Sequence, residues 1–294
     1  MYVHSLMLLS DAAEMDFLIH QRRTCYNGVY PYKIFPDKGL EKIEFAPITI
    51  FYGGNGSGKT TLLNIIAELT AVTRHSAFSG SAFFREYTGG CRLSAEEIPP
   101  ASQILTSDDV SDYLLNIRYL NDGIDVRRNE LFDEYLDRKY SSHQLRSLAD
   151  YDDWKESYDA KRQSQSQYVK NRLMRNVEMR SNGETAMRYY VERIDENALY
   201  LIDEPENSLS AQLQKELAEY IWKSARYFGC QFIICTHSPF FLAMPEARIY
   251  NLDTYPVSRC KWTELGNVRA YYDFFEEHKN DFCPENRKEN DGVW

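Results

Sequence analysis

The stretch that decides the fold is Phe51-Tyr52-Gly53-Gly54-Asn55-Gly56-Ser57-Gly58-Lys59-Thr60. It fits the pattern G-x-x-x-x-G-K-[ST], in which glycines let successive backbone N–H groups approach a phosphate. It follows the apolar run Ile48–Phe51 and leads into the helical pattern Leu62–Leu69, and this order of strand, loop and helix supports the motif. A glycine-rich turn before an ordinary helix is the alternative, and both flanks disfavour it. The stretch therefore predicts a nucleotide phosphate loop.

The roles of the loop residues follow from their chemistry. The helix that begins near Lys59 directs the positive end of its dipole at the bound anion. Lys59 is expected to lie along the β- and γ-phosphates, and the hydroxyl of Thr60 to ligate Mg²⁺. The predicted nucleotide-binding residues of this loop are Gly53, Gly54, Asn55, Gly56, Ser57, Gly58, Lys59, Thr60 and Thr61.

Composition restricts the class of protein. With 294 residues, 43% of them hydrophobic, the chain can form one large α/β domain or a domain with an inserted lobe, and its texture favours the lobe. The net charge of −10 gives no overall attraction to nucleic acid or anionic membranes. No apolar run reaches the roughly 18 to 20 residues that span a bilayer, so we expect a cytoplasmic protein. The six cysteines show no C-x-x-C spacing, which disfavours a zinc site or a disulfide framework.

Three regions differ in texture. Residues 1–105 alternate strands and turns and hold the phosphate loop, and residues 106–196 are polar and helix-compatible, starting at a predicted N-cap, Thr106. Residues 197–294 return to alternating apolar strands and helices, which is typical of a largely parallel sheet covered on both faces. We expect an α/β nucleotide-binding core interrupted by a helical lobe.

Two local expectations concern aromatic segments. Tyr30–Phe35 is predicted to be a strand, with prolines as its boundaries. In the last helical segment, Val268–Asp281, four aromatic residues are close together, and such a cluster more often packs against its own core than against a partner. These residues are Tyr271, Tyr272, Phe274 and Phe275.

A second chemical element is Leu199–Pro205, an apolar strand that ends in two carboxylates. Asp203 is expected to hold Mg²⁺ opposite Thr60. Because side chains alternate along a strand, Glu204 should point away from Asp203, towards the γ-phosphate and an attacking water. An acidic turn after an ordinary strand is the alternative.

Two further motifs contribute to the predicted site. Gln231–Pro239 is a buried-type strand followed by His237, whose imidazole could bind the γ-phosphate or the water, although a histidine at a strand end is usually structural. Ser181-Asn182-Gly183-Glu184 opens a helical pattern and fits a capping box, and a capped helix N-terminus can also bind an anion.

In order and spacing, these motifs resemble those of ABC-type ATPases of the SMC/RecF-like, non-transporter branch, in particular the small bacterial predicted AAA-family ATPases. The resemblance implies a P-loop NTPase (ABC-ATPase-like) α/β fold with a mixed sheet core and an inserted helical lobe. The corresponding motifs are the phosphate loop Gly53–Thr60, the signature Ser181–Glu184, the Walker B pair Asp203–Glu204, the D-loop Ser208–Ser210 and the switch histidine His237.

The resemblance also implies ATP and Mg²⁺ as cofactors and a homodimer that holds ATP between two subunits. Ser181 and Gly183 would then contact the γ-phosphate bound by the other subunit. The sequence departs from the family pattern in the signature, where Arg180-Ser181-Asn182-Gly183-Glu184 stands for L-S-G-G-Q, and at Ser210, where the D-loop has an aspartate. Gln103 and Asp108 are both candidates for the Q-loop position.

Three functions remain open on the sequence. The first is an ATP hydrolase in which Glu204 orients the water, Lys59 neutralises charge and His237 senses the γ-phosphate. The second is a nucleotide-gated module with slow hydrolysis that engages nucleic acid or an effector protein in defence or repair, and the third and weakest is a transporter engine. Residues 161–193 carry eight basic against three acidic residues, a helical face that could meet nucleic acid, a partner's ATP, an acidic surface or only solvent.

Overall fold

The computed structural model describes residues 1–22, 25–26, 28–78, 80–141, 150–178 and 181–282. The chain forms two compact units, of which the first comprises Met1–Val110 with Asn182–Trp294 and the second Ser111–Ser181. Arg180 of the predicted signature and Cys283 lie outside the described residues. The second unit interrupts the sequence of the first, as an inserted lobe does.

The first unit is built on a six-stranded mixed sheet of order β5-β6-β7-β3-β8-β9. The first five strands in this order are parallel, and β9 pairs antiparallel with β8. The central strands are apolar and fully buried because the sheet is covered on both faces. The strands are β3 (Ile48–Tyr52), β5 (Gln103–Thr106), β6 (Leu199–Asp203), β7 (Gln231–Cys235), β8 (Arg248–Asn251) and β9 (Ser258–Cys260).

A smaller antiparallel sheet of order β2-β1-β4 completes the first unit. Its strands are β1 (Val3–Met7), β2 (Lys42–Glu44) and β4 (Arg92–Ala95). The buried amide of Gln231 connects the two sheets, since its Oε1 accepts from the backbone N–H of Val3 at 2.8 Å and its Nε2 donates to the carbonyl of Val3 at 2.8 Å. The predicted α/β fold with a mixed sheet core and an inserted helical lobe is confirmed.

Helices cover the sheets and form the second unit. Those with residues in the first unit are α1 (Asp11–His20), α2 (Lys59–Thr70), α3 (Phe84–Gly90), the start of α4 (Ser107–Tyr140), α7 (Asn182–Arg193), α8 (Ala211–Tyr227), α9 (Pro239–Leu242) and α10 (Gly266–Glu277). The second unit contains the rest of α4 with α5 (Tyr151–Arg162) and α6 (Gln165–Lys170), around a small core of Leu131, Tyr135, Ala160, Tyr168 and Val169.

Helix α4 begins as its sequence predicts. The side chain of Asp109 accepts from the N–H of Thr106 at 2.8 Å, and the hydroxyl of Thr106 accepts from the N–H of Asp109 at 3.2 Å. This reciprocal pair satisfies N–H groups that have no partner inside the helix. The second unit is shorter than the expected lobe of 106–196 because α7 belongs to the first unit.

The prediction of a strand over Tyr30–Phe35 is wrong. The segment forms turns, in which Lys33 has a left-handed backbone with φ of 69°, and the buried carboxylate of Glu14 accepts from its N–H at 2.6 Å. Pro31 has no N–H to donate to a sheet, so a strand is disfavoured here. Tyr32 and Phe35 are still buried, which explains the apolar pattern that predicted the strand.

The expectation for the last helical segment is also wrong. The aromatic side chains of α10 do not pack into the core, because all four are about half exposed. The described basic residues between 161 and 193 are distributed over several elements. They lie at the ends of α5 and α6, in the segment after α6 and in α7, where Arg188 pairs with Glu192 at 2.5 Å.

Candidate functional site

The parallel strands end at one edge of the sheet, and the candidate site is built there. The register pairs Thr106 with Asp203, Asp203 with Cys235 and Cys235 with Phe51. The loops that follow β3, β5, β6 and β7 therefore start next to one another. This shared edge brings together motifs that are more than 180 residues apart in the sequence.

The phosphate loop has the backbone that its glycines predict. Gly56 and Gly58 have φ of 79° and 95°, values that residues with a side chain rarely adopt. A Cβ at Gly53 would lie 2.5 Å from the hydroxyl oxygen of Ser57, so no larger residue fits there. Gly58 directly precedes α2, so the N–H groups of the loop lie at the positive end of that helix, where an anion can bind.

Lys59 lies inside the loop. Its side chain is buried, and Nζ donates to the carbonyl oxygens of Gly53 at 2.7 Å and Gly54 at 3.1 Å. An ammonium group held by backbone carbonyls keeps its charge at the centre of the loop. This position suits the predicted contact with the β- and γ-phosphates.

Asp203 is the last residue of β6 and is buried next to the loop. Burial raises the pKa of the Asp203 carboxyl to about 6, although a hydrogen bond with the Thr60 hydroxyl acts in the opposite direction. Glu204 raises the same pKa further by charge repulsion, and Lys59 lowers it. The carboxylate is costly to keep ionised here, and a bound cation would offset that cost.

Two buried polar atoms at this position have no hydrogen-bond partner among the described residues. They are Oδ1 of Asp203 and Oγ of Ser57. Buried groups of this kind are rare unless a ligand completes them. Oδ1 of Asp203 and the Thr60 hydroxyl beside it are oxygen ligands of the type that Mg²⁺ prefers, and Oγ of Ser57 lies in the phosphate loop itself, so the residues present fit a magnesium-bound phosphate.

Glu204 does not continue the strand, so the argument from alternating side chains fails for it. Its φ is 48°, a left-handed turn, and its N–H donates to the carbonyl of Cys235 at 2.9 Å. Its carboxylate accepts from Nδ2 of Asn207 at 3.2 Å and is partly exposed. The turn, and not strand alternation, sets the direction of this side chain.

Glu206 organises the switch histidine, and the sequence did not predict this role. Its buried carboxylate accepts from the hydroxyl of Thr236 at 2.8 Å and from the N–H of His237 at 2.9 Å, and Nδ1 of His237 lies 3.0 Å from Oε1. Since an ionised carboxylate only accepts, Nδ1 carries the hydrogen. Nε2 of the neutral ring is then an acceptor, suited to a hydrogen of water. The only signal in the sequence was a third acidic residue directly after Pro205.

The predicted signature straddles the two units. Ser181 is the last residue of the second unit, and Gly183 lies in the first turn of α7. A Cβ at Gly183 would lie 2.9 Å from Cδ1 of Leu213 and 3.3 Å from the carbonyl oxygen of Ser208. Gly183 thus allows α7 to pack closely on the segment before α8, which is a structural reason for the glycine besides the predicted one.

A cleft of about 250 Å³ opens beside Thr60 and Asp203. The positively charged side chain of Arg74 lines it, which the motifs did not predict. Nη2 of Arg74 donates to Oδ1 of Asn64 at 2.5 Å, and its guanidinium lies 4.6 Å from the ring centroid of Phe78. Burial lowers the pKa of Arg74, while nearby carboxylates raise it. Arg74 follows α2 in a segment without a recognisable motif, so its position was not predicted from the sequence.

Only one of the two Q-loop candidates lines this cleft. Asp108 lines it, close to the end of β5. Gln103 lies at the start of that strand, paired with Tyr200, and its Nε2 donates to the carbonyl of Arg193 at 2.7 Å. Three residues of strand span roughly 10 Å, so the side chain of Gln103 is directed to a different part of the unit.

Asp253 adds a carboxylate to the phosphate loop. It follows β8, and both of its oxygens accept from the N–H of Gly54, at 2.8 and 3.1 Å. Its own N–H donates to the side chain of Asn251 at 3.0 Å. The contact holds the first turn of the loop to a strand on the far side of β3, and a lone aspartate in a turn gave no signal of it.

One family model matches part of the chain. Residues 184–242 match the family of AAA ATPase domains. The predicted resemblance to P-loop ATPases is thereby confirmed. The matched segment contains Asp203, Glu204, Glu206 and His237, and the phosphate loop lies before it. No curated protein has a sequence that matches this chain.

Three solved structures of SMC head domains are similar to the chain. An SMC head bound to the C-terminal winged-helix domain of ScpA is 18% identical with a TM-score of 0.44, and the match covers 89% of this chain and 98% of that one. An SMC head with an extended coiled coil, bound to the C-terminal domain of ScpA from Pyrococcus furiosus, is 14% identical with a TM-score of 0.40 and coverage of 95% and 99%. The SMC head from Thermotoga maritima is 13% identical with a TM-score of 0.39 and coverage of 89% and 99%.

Among the described residues, no helix has the length and apolar character needed to cross a bilayer.

Proposed function

We propose that this protein binds Mg-ATP at the phosphate loop and hydrolyses it to ADP and phosphate. The observation that carries the proposal is the buried carboxylate of Asp203, which has an unpartnered oxygen, contacts the Thr60 hydroxyl and lies near the ammonium of Lys59. The ammonium of Lys59 and the hydroxyl of Thr60 thus lie beside this carboxylate, at the end of the glycine-rich loop. The match of residues 184–242 to AAA ATPase domains supports ATP as the nucleotide.

The residues divide the work of phosphoryl transfer. The N–H groups of Gly53–Thr61 and the ammonium of Lys59 bind the phosphates, and Thr60 and Asp203 would hold Mg²⁺, which supplies positive charge against the β- and γ-phosphates. Arg74 and Asp108 lie in the adjoining cleft, where Arg74 adds a second positive charge. The protein mainly positions the nucleotide and stabilises charge that develops during the reaction.

Glu204 and His237 act on the water. Glu204 is partly exposed directly after Asp203, and we assign it the role of orienting the attacking water. His237, held through Nδ1 by Glu206, presents Nε2 as an acceptor for the same water or, when protonated, as a donor to the γ-phosphate.

Replacing Glu204 by glutamine tests this assignment. The variant keeps the shape but loses the acceptor charge, so turnover of ATP should fall at least about 100-fold while the affinity for Mg-ATP changes little. Phosphate release measures turnover, and calorimetry measures affinity. Glu41→Gln is the matched control, because it changes an exposed carboxylate directly before β2. This variant should hydrolyse ATP at the normal rate. Normal turnover in Glu204→Gln would refute the assignment.

ATP is also proposed to join two copies of the protein. In the arrangement that the motifs imply, Ser181 and Gly183 of one subunit complete the site of the other, and Ser208–Ser210 connect the two sites. Glu204→Gln should therefore accumulate as an ATP-bound dimer, which light scattering measures with and without Mg-ATP. A variant that binds ATP and stays monomeric would refute the dimer but leave nucleotide binding standing.

A nucleotide-gated module with slow hydrolysis is the second candidate. Ser210 replaces the D-loop aspartate, and in the structure its hydroxyl caps α8 by accepting from the N–H of Leu213 at 3.4 Å. A serine used as a cap provides no charge between two sites, which favours slow turnover. Steady-state ATPase rates with and without DNA or RNA distinguish the ATP hydrolase from the nucleotide-gated module. Fast turnover of ATP that nucleic acid does not change would contradict the module.

A further inference from the structure

A buried carboxylate lies near the phosphate loop, and the proposed reaction does not use it. Glu14, on α1, is only 1% exposed. Tyr87 lies beside it, and the ring of Tyr87 packs against that of Tyr32 with 5.0 Å between the centroids. Among the described residues, no lysine or arginine side chain forms an ion pair with Glu14. A buried carboxylate without a cationic partner is costly, so the contacts that offset this cost indicate its role.

The surroundings of Glu14 leave it one strong contact. Burial raises the pKa of its carboxyl, and the negative charges of Asp11 and Asp37 raise it further, whereas the N–H of Lys33 and the hydroxyl of Tyr87 lower it. Oε2 accepts from the backbone N–H of Lys33 at 2.6 Å. The other oxygen, Oε1, has no hydrogen-bond partner among the described residues. The hydrogen bond with Lys33 is therefore the main interaction that this carboxylate makes.

Lys33 lies in a backbone conformation that needs such support. Its φ is 69°, in the left-handed region that a residue with a side chain rarely adopts. Conformations of this kind persist only when neighbouring groups hold them, and the carboxylate of Glu14 holds the N–H of Lys33. Glu14 thus fixes the turn segment Tyr30–Phe35 from outside that segment.

The Tyr30–Phe35 turn packs directly against the phosphate loop. A Cβ at Gly58 would lie 3.1 Å from Cγ2 of Ile34 and 3.4 Å from Cε1 of Phe35. At the start of the turn, the hydroxyl of Tyr30 donates to the hydroxyl of Thr61 at 3.1 Å. The turn therefore contacts both the last glycine of the loop and the first turn of α2, and its position affects where their N–H groups lie.

We propose that Glu14 is a positioning residue for nucleotide binding. By accepting from the N–H of Lys33, it fixes the Tyr30–Phe35 turn, and this turn holds Gly58–Thr61 in the shape that binds phosphates. Glu14 itself does not contact the nucleotide, and its role rests on the function proposed above. A loop that is already in its bound shape loses less conformational freedom when the ligand binds. The support is the same before and during the reaction, so it should affect the affinity for Mg-ATP and not the chemical step.

Two substitutions of similar size isolate the hydrogen bond. Glu14→Gln keeps an oxygen that can accept from Lys33, whereas Glu14→Met fills the same space without an acceptor. Ile34→Ala removes the contact with Gly58 and leaves Glu14 unchanged. Tyr87→Phe is the matched control, because it removes a hydroxyl beside Glu14 but keeps the bond to Lys33. All variants are made in the full chain.

Calorimetry with Mg-ATP gives both the dissociation constant and the fraction of protein that binds. We expect Glu14→Met to weaken the affinity about tenfold and to leave kcat nearly unchanged, because the freed N–H of Lys33 no longer holds the turn. Ile34→Ala should weaken the affinity in the same direction. Glu14→Gln and Tyr87→Phe should bind Mg-ATP within about twofold of the unchanged protein.

A purely structural role for Glu14 gives a different result. It would lower the fraction of protein that binds while the dissociation constant stays the same, and this outcome overturns the proposal. Unchanged affinity in Glu14→Met, an equal loss in Glu14→Gln, or unchanged affinity in Ile34→Ala also overturns it. If Glu14→Met does not fold, Ile34→Ala decides by itself.

Hydrogen exchange without nucleotide separates this proposal from the proposed function. In the structure the N–H of Leu62 donates to the carbonyl of Gly58 at 2.9 Å. Peptides that contain Lys33 and Gly58–Leu62 should exchange faster in Glu14→Met than in Glu14→Gln. Equal exchange overturns the positioning role. Faster exchange in a protein that fails to bind Mg-ATP would support the positioning of the loop and refute the proposed ATPase function.

Discussion

Replacement of Asp203 by asparagine should stabilise the metal-free protein while it removes the magnesium site. Burial is the main cause that raises the pKa of this carboxyl from 3.8 to about 6. About two pKa units correspond to about 3 kcal/mol, at about 1.4 kcal/mol for each unit. Above pH 6 the folded protein holds a buried charge that the unfolded chain holds in water, so the ionised carboxylate lowers the free energy of unfolding.

The sign of the effect depends on pH. Below about pH 4 the carboxyl is protonated in both states and costs nothing, and the destabilisation develops as the pH rises from about 4 to about 6. Asparagine keeps the shape without the charge but alters the hydrogen bond with Thr60. We therefore expect Asp203→Asn to raise the free energy of unfolding by about 2 kcal/mol near neutral pH and by much less near pH 4.

Urea unfolding in the presence of a chelator, at both pH values, measures this difference. Calorimetry with Mg-ATP then shows the loss of the metal-dependent part of binding. Asp112→Asn, which changes an exposed carboxylate on α4, is the control and should shift neither quantity. If Asp203→Asn destabilises the metal-free protein near neutral pH, or changes it equally at both pH values, the assignment of a strained buried carboxylate is refuted.

Three other predictions follow from single contacts. Mg²⁺ must displace the proton of Asp203, so its affinity for the ATP complex should fall about tenfold for each pH unit below about 6, and a flat calorimetric profile would contradict this. Gly183→Ala should cost about 1 kcal/mol in urea unfolding because Cδ1 of Leu213 and the carbonyl of Ser208 must shift to admit its Cβ, whereas Gly266→Ala, with nothing within 4 Å of its Cβ, should not. Glu206→Gln should lower the turnover of ATP roughly 10–100-fold by releasing His237, with ATP affinity little changed, and steady-state kinetics that show equal turnover would exclude this positioning role.

The exposed α10 shows where the prediction of burial from sequence fails. The pattern of aromatic residues in 268–281 correctly indicates a helix, but it does not show whether the rest of the chain covers that helix. In the structure only Val268 of α10 is buried, and Tyr271, Tyr272 and Phe275 line a groove. Exposure is a property of the packing of several elements, and one segment does not contain that information.

The Q-loop position shows the same limit at the site. Gln103 and Asp108 were both compatible with the spacing after Lys59, and they are five positions apart. Gln103 begins β5 and Asp108 lies in α4, just past the end of that strand, so that of the two only Asp108 lines the cleft beside Asp203. Spacing along the chain cannot replace knowledge of where a strand ends, because boundaries are the least certain part of a prediction from sequence.

The sequence by itself determined the phosphate loop, the strand before it, the helix after it and the strands that end in Asp203 and Cys235. These features are local, since glycines with φ above zero, an N-terminal helix dipole and apolar strands act over a few neighbouring residues. Only the tertiary structure decided that Arg74 enters the cleft, that Glu206 holds His237 and that Asp253 binds the N–H of Gly54. The contacts of Glu206 with His237 and of Asp253 with Gly54 join residues 31 and 199 positions apart, and Arg74 lies in a segment without a motif. They exist because parallel strands bring their ends to one edge of a sheet.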